Sequence, residues 1–332
     1  MTVIFSGIQP TGRKHLGNFI GAIEQYVAGQ DRADPAIYCV VDLHALTVEY
    51  EPAQLRERVY DTTAILLAAG LDPRRCVLFR QSDVREHSEL SWMLSGLTEL
   101  GRLQRMHQFR DKSAKQRELS SAGLLMYPVL QAADVLAYRA DEVPVGEDQR
   151  EHIELMRDVA ERFNRRFGET LVVPEIRVPA VGARINDLQE PARKMSTTAP
   201  SEAGTVFVLE EPDAIVKKFK RAVTDSGSDI VHSPSDKPGV SNLLEIFAAV
   251  RRTGVAEAEA AFADARGYGD LKTGVAEAVV EHLAPVRERY AQLRPDEAAL
   301  DQALALGAEK ARAIASRTLA DVRERMGVGA PS

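Results

Sequence analysis

Short apolar runs alternate with helix-like segments through the first 80 residues of this 332-residue chain, and that alternation most constrains its fold. Val3-Ile-Phe5 is strand-like, and Ser6 to Gly12 is dense in turn formers. Leu16 to Val27 then carries helical periodicity. A second strand, Ala36 to Asp42, follows a turn at Asp34-Pro35. A helix from about Pro52 to Leu71 stops at Gly70 and Pro73, and Val77 to Arg80 makes a third strand. Strands that alternate with helices build an α/β fold on a parallel sheet.

Ser88 to Glu161 is mostly helical, with breaks expected near Gly123 and at Val143-Pro-Val-Gly146. Leu171 to Val178 is extended and split by Pro174. Past about residue 200, Ala, Glu, Val, Leu and Arg dominate in periodic helical runs. This predicts a boundary near Ser201, with a linker from Thr198 to Gly204. The expected division is an α/β part over 1–200, with a helical insertion at about 88–165, and an α-helical part over 201–332. The length suits two ordinary cores. No run of about 20 apolar residues exists, so no transmembrane helix is expected. The start lacks a basic segment before an apolar block, which points to the cytoplasm.

Net charge is −7 and the pI about 5.6, which argues against a generally electrostatic nucleic-acid binder. Local basic faces remain possible at Lys217 to Arg221 and Arg102 to Arg117. The two cysteines, Cys39 and Cys76, belong to no close Cys/His cluster, so two buried or half-buried thiols are expected and not a zinc site.

Several strings carry chemistry. Gly7, Gly12 and Gly17, with His15-Leu16-Gly17-Asn18, mark a strand–turn–helix passage of the kind that offers a helix N-terminus to phosphate. His15 can donate to a phosphate or ribose there, and Gly17 leaves room for an adenine ring. Taken alone, such a turn is more often structural. Lys194 lies between Pro191 and Pro200 in an irregular segment that could fold over a triphosphate; alone it is a solvated basic turn. Tyr127, Gln131 and Asp134 share one face of an apolar helix. A carboxylate in that setting needs a partner, either an arginine elsewhere or a ligand donor. Gly146-Glu147-Asp148 could present Asp148 to a ribose diol, and His44 follows the second strand where open α/β sheets bind ligands.

Together these strings match one family. His15 to Asn18 resembles the HIGH motif, and Lys194-Met195-Ser196-Thr197-Thr198 the KMSKS loop, of class I aminoacyl-tRNA synthetases. Phe5 to Gly12, Val41 to Thr47, Tyr127 to Leu136, Val143 to Gln149, Ala222 to Ser226 and Lys237 to Leu244 are similar to strings of the tryptophanyl members. The resemblance implies a Rossmann-like catalytic domain and a helical anticodon-binding domain. It implies ATP contacts at Gln9, Pro10, Thr11, His15, Gly17, Asn18, Gly146, Glu147, Asp148, Ile185 and the loop Lys194 to Thr198. Lys112 and Arg184 would join Lys194 and Gln9 at the triphosphate, with Mg²⁺ held mainly by phosphates. Tryptophan would meet Asp134 through its indole N–H, Tyr127 and Gln149 near its ammonium, and Gln131, Phe5, Gly7 and His44 around it. The implied activity is tryptophan activation by ATP and transfer to tRNA(Trp), by a homodimer.

Two positions depart from the pattern: Thr197 stands where the family has a second lysine, and Gln131 where many bacterial members have methionine. The rivals are a tyrosyl-type synthetase and a paralogue that binds ATP or tryptophan without charging tRNA.

Overall fold

The structure, a computed structural model, describes residues 2–107, 109, 121–146, 149–177, 185–197 and 201–329. Five strands form one parallel sheet: β1 (Ile4–Ile8), β2 (Ala36–Val40), β3 (Val77–Arg80), β4 (Glu142–Pro144) and β5 (Glu175–Arg177), in the order β3-β2-β1-β4-β5. β2 is buried along its whole length. Ala36, Tyr38 and Val40 enter one core while Ile37 and Cys39 enter the other, as a strand covered on both faces requires. Both cysteines are buried and free.

β1 and β4 differ from the sequence expectation. β1 runs on to Ile8 and takes in Gly7, because the turn-forming residues do not interrupt its pairing with β2, where Gly7 lies opposite Cys39. Val143-Pro-Val-Gly146, read as a break between helices, overlaps β4, which pairs with both β1 and β5. Alternation explains it: Val143 is buried while its strand neighbours are half-buried.

Helices cover both faces. The first is α1 (Leu16–Asn18), a π-helical turn over Phe19–Ile23, and α2 (Glu24–Gly29). α3 (Asp42–Ala45), α4 (Pro52–Ala69), α5 (Glu86–Ser95) and α6 (Leu100–Arg105) follow, then α7 (Ala122–Leu136) and α8 (Arg150–Phe167). Ser121 caps α7 by accepting from the Leu124 N–H, so Gly123 lies inside the helix and the break falls before it.

The C-terminal stretch folds as α9 (Pro212–Lys220), α10 (Pro238–Arg251), α11 (Val255–Ala260), α12 (Tyr268–Leu293) and α13 (Glu297–Met326). These helices share their cores with the sheet: Ile215, Leu243, Leu271 and Val275 pack with Leu16, Tyr38 and Leu78, while Ala311, Ala315 and Val322 of α13 pack with Phe79 and Val135. α12 lies on α4, and α13 on β3. A β-carbon at Gly307 would fall 1.7 Å from the Leu78 carbonyl oxygen, so only glycine allows α13 that close.

β1 lies where the strand order reverses. The crevice at the carboxyl ends of β1 and β4 is therefore the place an open α/β sheet offers a ligand.

Candidate active site

The loop after β1 and the lysine loop meet at that crevice. His15 caps α1: its Nδ1 accepts from the Asn18 N–H at 3.3 Å, and Asn18 Oδ1 accepts from the His15 N–H at 3.3 Å. Burial, reinforced by the charges of Lys194 and Lys14, lowers the His15 pKa to about 4. The ring is neutral near pH 7, and with Nδ1 accepting, Nε2 carries the proton and can donate.

Gly12 adopts φ +66, and a β-carbon on it would approach Thr197 Oγ1 to 3.2 Å. A β-carbon on Gly17 would meet the His15 ring at 3.1 Å and Ile185 at 3.5 Å. Two strings far apart in the chain are thus brought together.

The lysine loop rests on a small antiparallel frame. Asn186 and Lys194 form a β-bridge, the Met195 N–H donates to the Ile185 carbonyl, and the Asp187 N–H to that of Arg193. Asp187 Oδ1 turns the chain by accepting from the N–H groups of Gln189 and Glu190. Asn242 of α10 grips Asn186 at both backbone groups, accepting from its N–H at 2.9 Å and donating to its carbonyl at 3.1 Å. The Val223 N–H donates to the Leu188 carbonyl. The strings around Asn242 and Val223 therefore anchor the loop's base, a role their sequence does not disclose.

The stretch expected to be a linker is ordered where it is described. Glu202–Gly204 is a 3-10 turn, the Leu16 N–H donates to the Val206 carbonyl, and the Val208 N–H to that of Lys14. Met195 is buried while Lys194 and Thr197 are exposed.

Asp134 lies on α7 and is 1% exposed. Its expected partner was an arginine or a ligand; the structure supplies two histidines and a glutamine. Oδ1 accepts from Gln81 Nε2 at 2.7 Å and His87 Nδ1 at 2.6 Å, and Oδ2 from His44 Nε2 at 2.7 Å. Gln81 Oε1 accepts from the Leu43 N–H, which fixes its amide so that the nitrogen faces Asp134. His87 Nδ1 faces a carboxylate that can only accept, so Nδ1 carries a proton, while Nε2 lies 2.7 Å from the Tyr138 hydroxyl, which burial keeps protonated. Burial alone would raise the Asp134 pKa, but His44 and His87 outweigh it and hold the carboxyl well below its usual range. A carboxylate offers about four acceptor positions. Three are filled from within, which by count leaves one on Oδ2.

Around this carboxylate, the Tyr127 ring lies edge-on to His44 and its hydroxyl pairs with His152 Nε2 at 2.8 Å. Phe5 stacks on Tyr138, and Gly7 leaves an exposed strip on β1. Gln131 and Gln149 are half-buried, the latter at the start of α8. Gln9, Thr11 and Gly146 are exposed, Pro10 is buried, and Asn18 is half-buried. Lys112, Glu147, Asp148, Arg184 and Thr198 lie outside the described residues. Gln81 and His87 escaped the sequence reading. Gln81 follows the third strand as His44 follows the second, and that shared position was the available signal.

The family model for tRNA synthetases class I (W and Y) matches residues 1–284. Tryptophan–tRNA ligase 2 of Streptomyces avermitilis is 52% identical over 98% of this chain and 96% of its own length. A tryptophanyl-tRNA synthetase from Mycoplasma pneumoniae superposes with a TM-score of 0.91 at 35% identity, covering 99% of this chain and 98% of that one. The Campylobacter jejuni tryptophanyl-tRNA synthetase, solved with ADP and tryptophan, gives 0.81 at 33% identity over 99% and 100%.

Proposed function

The chain belongs to the class I tRNA synthetases for tryptophan and tyrosine, and from that membership we propose how its residues share the work of tryptophan–tRNA ligation. The activity is that of a tryptophan–tRNA ligase using ATP. In our reading Asp134 takes the indole N–H on its remaining acceptor position, with Tyr127, Gln149, Gln131, Phe5, Gly7 and His44 around the amino acid. A site that pairs a buried donor rejects analogues lacking it by roughly 10⁴–10⁵, which excludes phenylalanine.

ATP binds across Gln9, Pro10, Thr11, His15, Gly17, Asn18, Gly146 to Asp148, Ile185 and the loop Lys194 to Thr198. The tryptophan carboxylate attacks the α-phosphorus in line and pyrophosphate leaves. A carboxylate needs no base, so catalysis is positioning and charge stabilisation. Neutral His15 donates from Nε2, and Lys194, Lys112, Arg184 and Gln9 meet the charge on the leaving group. Mg²⁺ arrives with the triphosphate and is held mainly by its oxygens.

The observation that carries this reading is the contact of Gly12 with Thr197 and of Gly17 with Ile185, on the same sheet edge as a carboxylate with one acceptor position left.

We assign 1–200 to the chemistry and 201–332 to tRNA, with the anticodon region on the C-terminal helices. This division is one of task, since the two parts share cores. On α9, Lys217 and Lys220, with Arg221 beyond, are exposed and suit a phosphate backbone, whereas Lys218 turns inward to Glu210 and the Phe207 ring. A second copy completes the enzyme. Trp92 on α5, 79% exposed, and Leu100, 58% exposed, offer it apolar surface. Among the described residues no helix is long and apolar enough to cross a membrane; we place the enzyme in the cytoplasm because its substrates are there.

Pyrophosphate exchange measured with each amino acid in turn should respond to tryptophan alone. A response to tyrosine would transfer the chain to the tyrosyl branch. Exchange without charging of purified tRNA would make it a regulator.

A further inference from the structure

Lys14 is the one buried lysine of the first loop, 7% exposed, and the ligase chemistry above gives it no task. Its ammonium donates to the Gln9 carbonyl at 2.6 Å and to the Thr11 carbonyl at 3.4 Å. Its own carbonyl accepts from the Val208 N–H at 2.9 Å, so its backbone is pinned from the other side. The neighbouring Arg13 guanidinium lies 3.8 Å from the centre of the Phe207 ring and pairs with Glu202.

We propose that Lys14 is a positioning residue for ATP: protonated, it gathers the Gln9 and Thr11 carbonyls onto one ammonium and so fixes the loop that receives the nucleotide. The proposal rests on the reading that Gln9, Pro10, Thr11, His15, Gly17 and Asn18 bind ATP. Loop carbonyls left to water would adopt many orientations. An ammonium with three donors imposes one, and its charge makes each hydrogen bond stronger than a neutral one.

The surroundings make this pin sensitive to pH. Beside Lys14 is a cavity of about 50 Å³ lined by Arg13, Arg58, Asp61, Thr62 and Phe207, among others. Burial lowers the Lys14 pKa from 10.5 to about 8; Arg58 of α4 adds to the shift and Asp61 opposes it. Asp61 is itself held by Tyr290 at 2.9 Å and by Arg294 at 2.6 Å. Across the loop are Lys194 and His15, and His15 is neutral at these pH values. Lys14 therefore loses its proton near pH 8; the neutral amine keeps two N–H donors but not the charge that strengthens them, and its hold on the two carbonyls weakens.

The test is the KM for ATP in tryptophan-dependent pyrophosphate exchange, from pH 6.5 to 9.5, for the native chain, Lys14→Met and Lys14→Arg. In the native chain KM should rise as pH passes 8, by about tenfold, the worth of a charge-assisted hydrogen bond. Lys14→Met should show the raised value throughout with no step at 8, and a KM for tryptophan within about twofold of native. Lys14→Arg, which keeps its charge, should retain the low value without the step. A merely structural lysine would lower melting temperature and shift both substrates alike. A native profile without the step, or a step that persists in Lys14→Arg, overturns the proposal. If the native chain catalyses no exchange, the ligase reading fails instead, and calorimetric ATP titration over the same pH range still reads the Lys14 claim.

Discussion

Replacing Asp134 by asparagine exchanges a carboxylate with about four acceptor positions for an amide with one oxygen and two N–H donors. The internal network can survive the change. The amide oxygen can take the Oδ1 role toward Gln81 and His87, and the amide nitrogen can donate to His44 Nε2 once that ring shifts its proton to Nδ1. The indole N–H then finds an N–H where an oxygen stood. A hydrogen bond to a charged group is worth about 1.5–3 kcal/mol, and stranding a buried donor costs about 1–3 kcal/mol more. The sum is roughly 2.5–6 kcal/mol, or about 10²–10⁴ in kcat/KM for tryptophan.

The assay compares exchange driven by tryptophan with exchange driven by the analogue whose indole nitrogen is replaced by sulfur. The native enzyme should favour tryptophan strongly, and Asp134→Asn should bring the two together. If the variant, folded by its melting curve, loses both substrates equally, Asp134 does not read the indole nitrogen and the acceptor count is the wrong explanation.

Three other outcomes can be checked. The His15 pKa is 6.5 in the free side chain and about 4 when folded, so between those values the unfolded chain holds a proton the folded one lacks. Stability should therefore fall as pH drops from 6.5 to 4, by up to about 3 kcal/mol; His15→Asn keeps an N-cap acceptor and should flatten that slope in urea titrations. Thr197→Lys, at an exposed position against Gly12, should raise the exchange rate or leave it unchanged, because it adds an ammonium beside the departing pyrophosphate; a steep loss would mean the loop is used differently. Trp92→Glu should shift sedimentation from dimer to monomer without loss of helicity, whereas an unaltered dimer would place the interface elsewhere.

The sheet was legible because β2 and β3 are short apolar runs with clear ends, and the loop after β1 and the lysine loop both carried strings of fixed order. What escaped was long-range. β4 is a short strand inside a helical region, and its pairing with β1 supplies the context its three residues lack. Gln81 and His87 have no local pattern that marks them, since their importance comes from converging on a carboxylate about 50 residues away. Asn242 lies in a legible string, but its grip on Asn186 depends on how α10 approaches the lysine loop. Sequence periodicity reports the face a residue occupies and not the partner it will find there.

The Gly307 crossing also constrains the order in which the molecule can be made. β3 borders the sheet and is laid down within the first quarter of the chain, yet the helix that covers it spans Glu297–Met326. On a ribosome adding about 5–20 residues per second, β3 emerges many seconds before its cover. Throughout that interval Leu78 and Phe79 lack the apolar side of α13 that covers them in the finished fold.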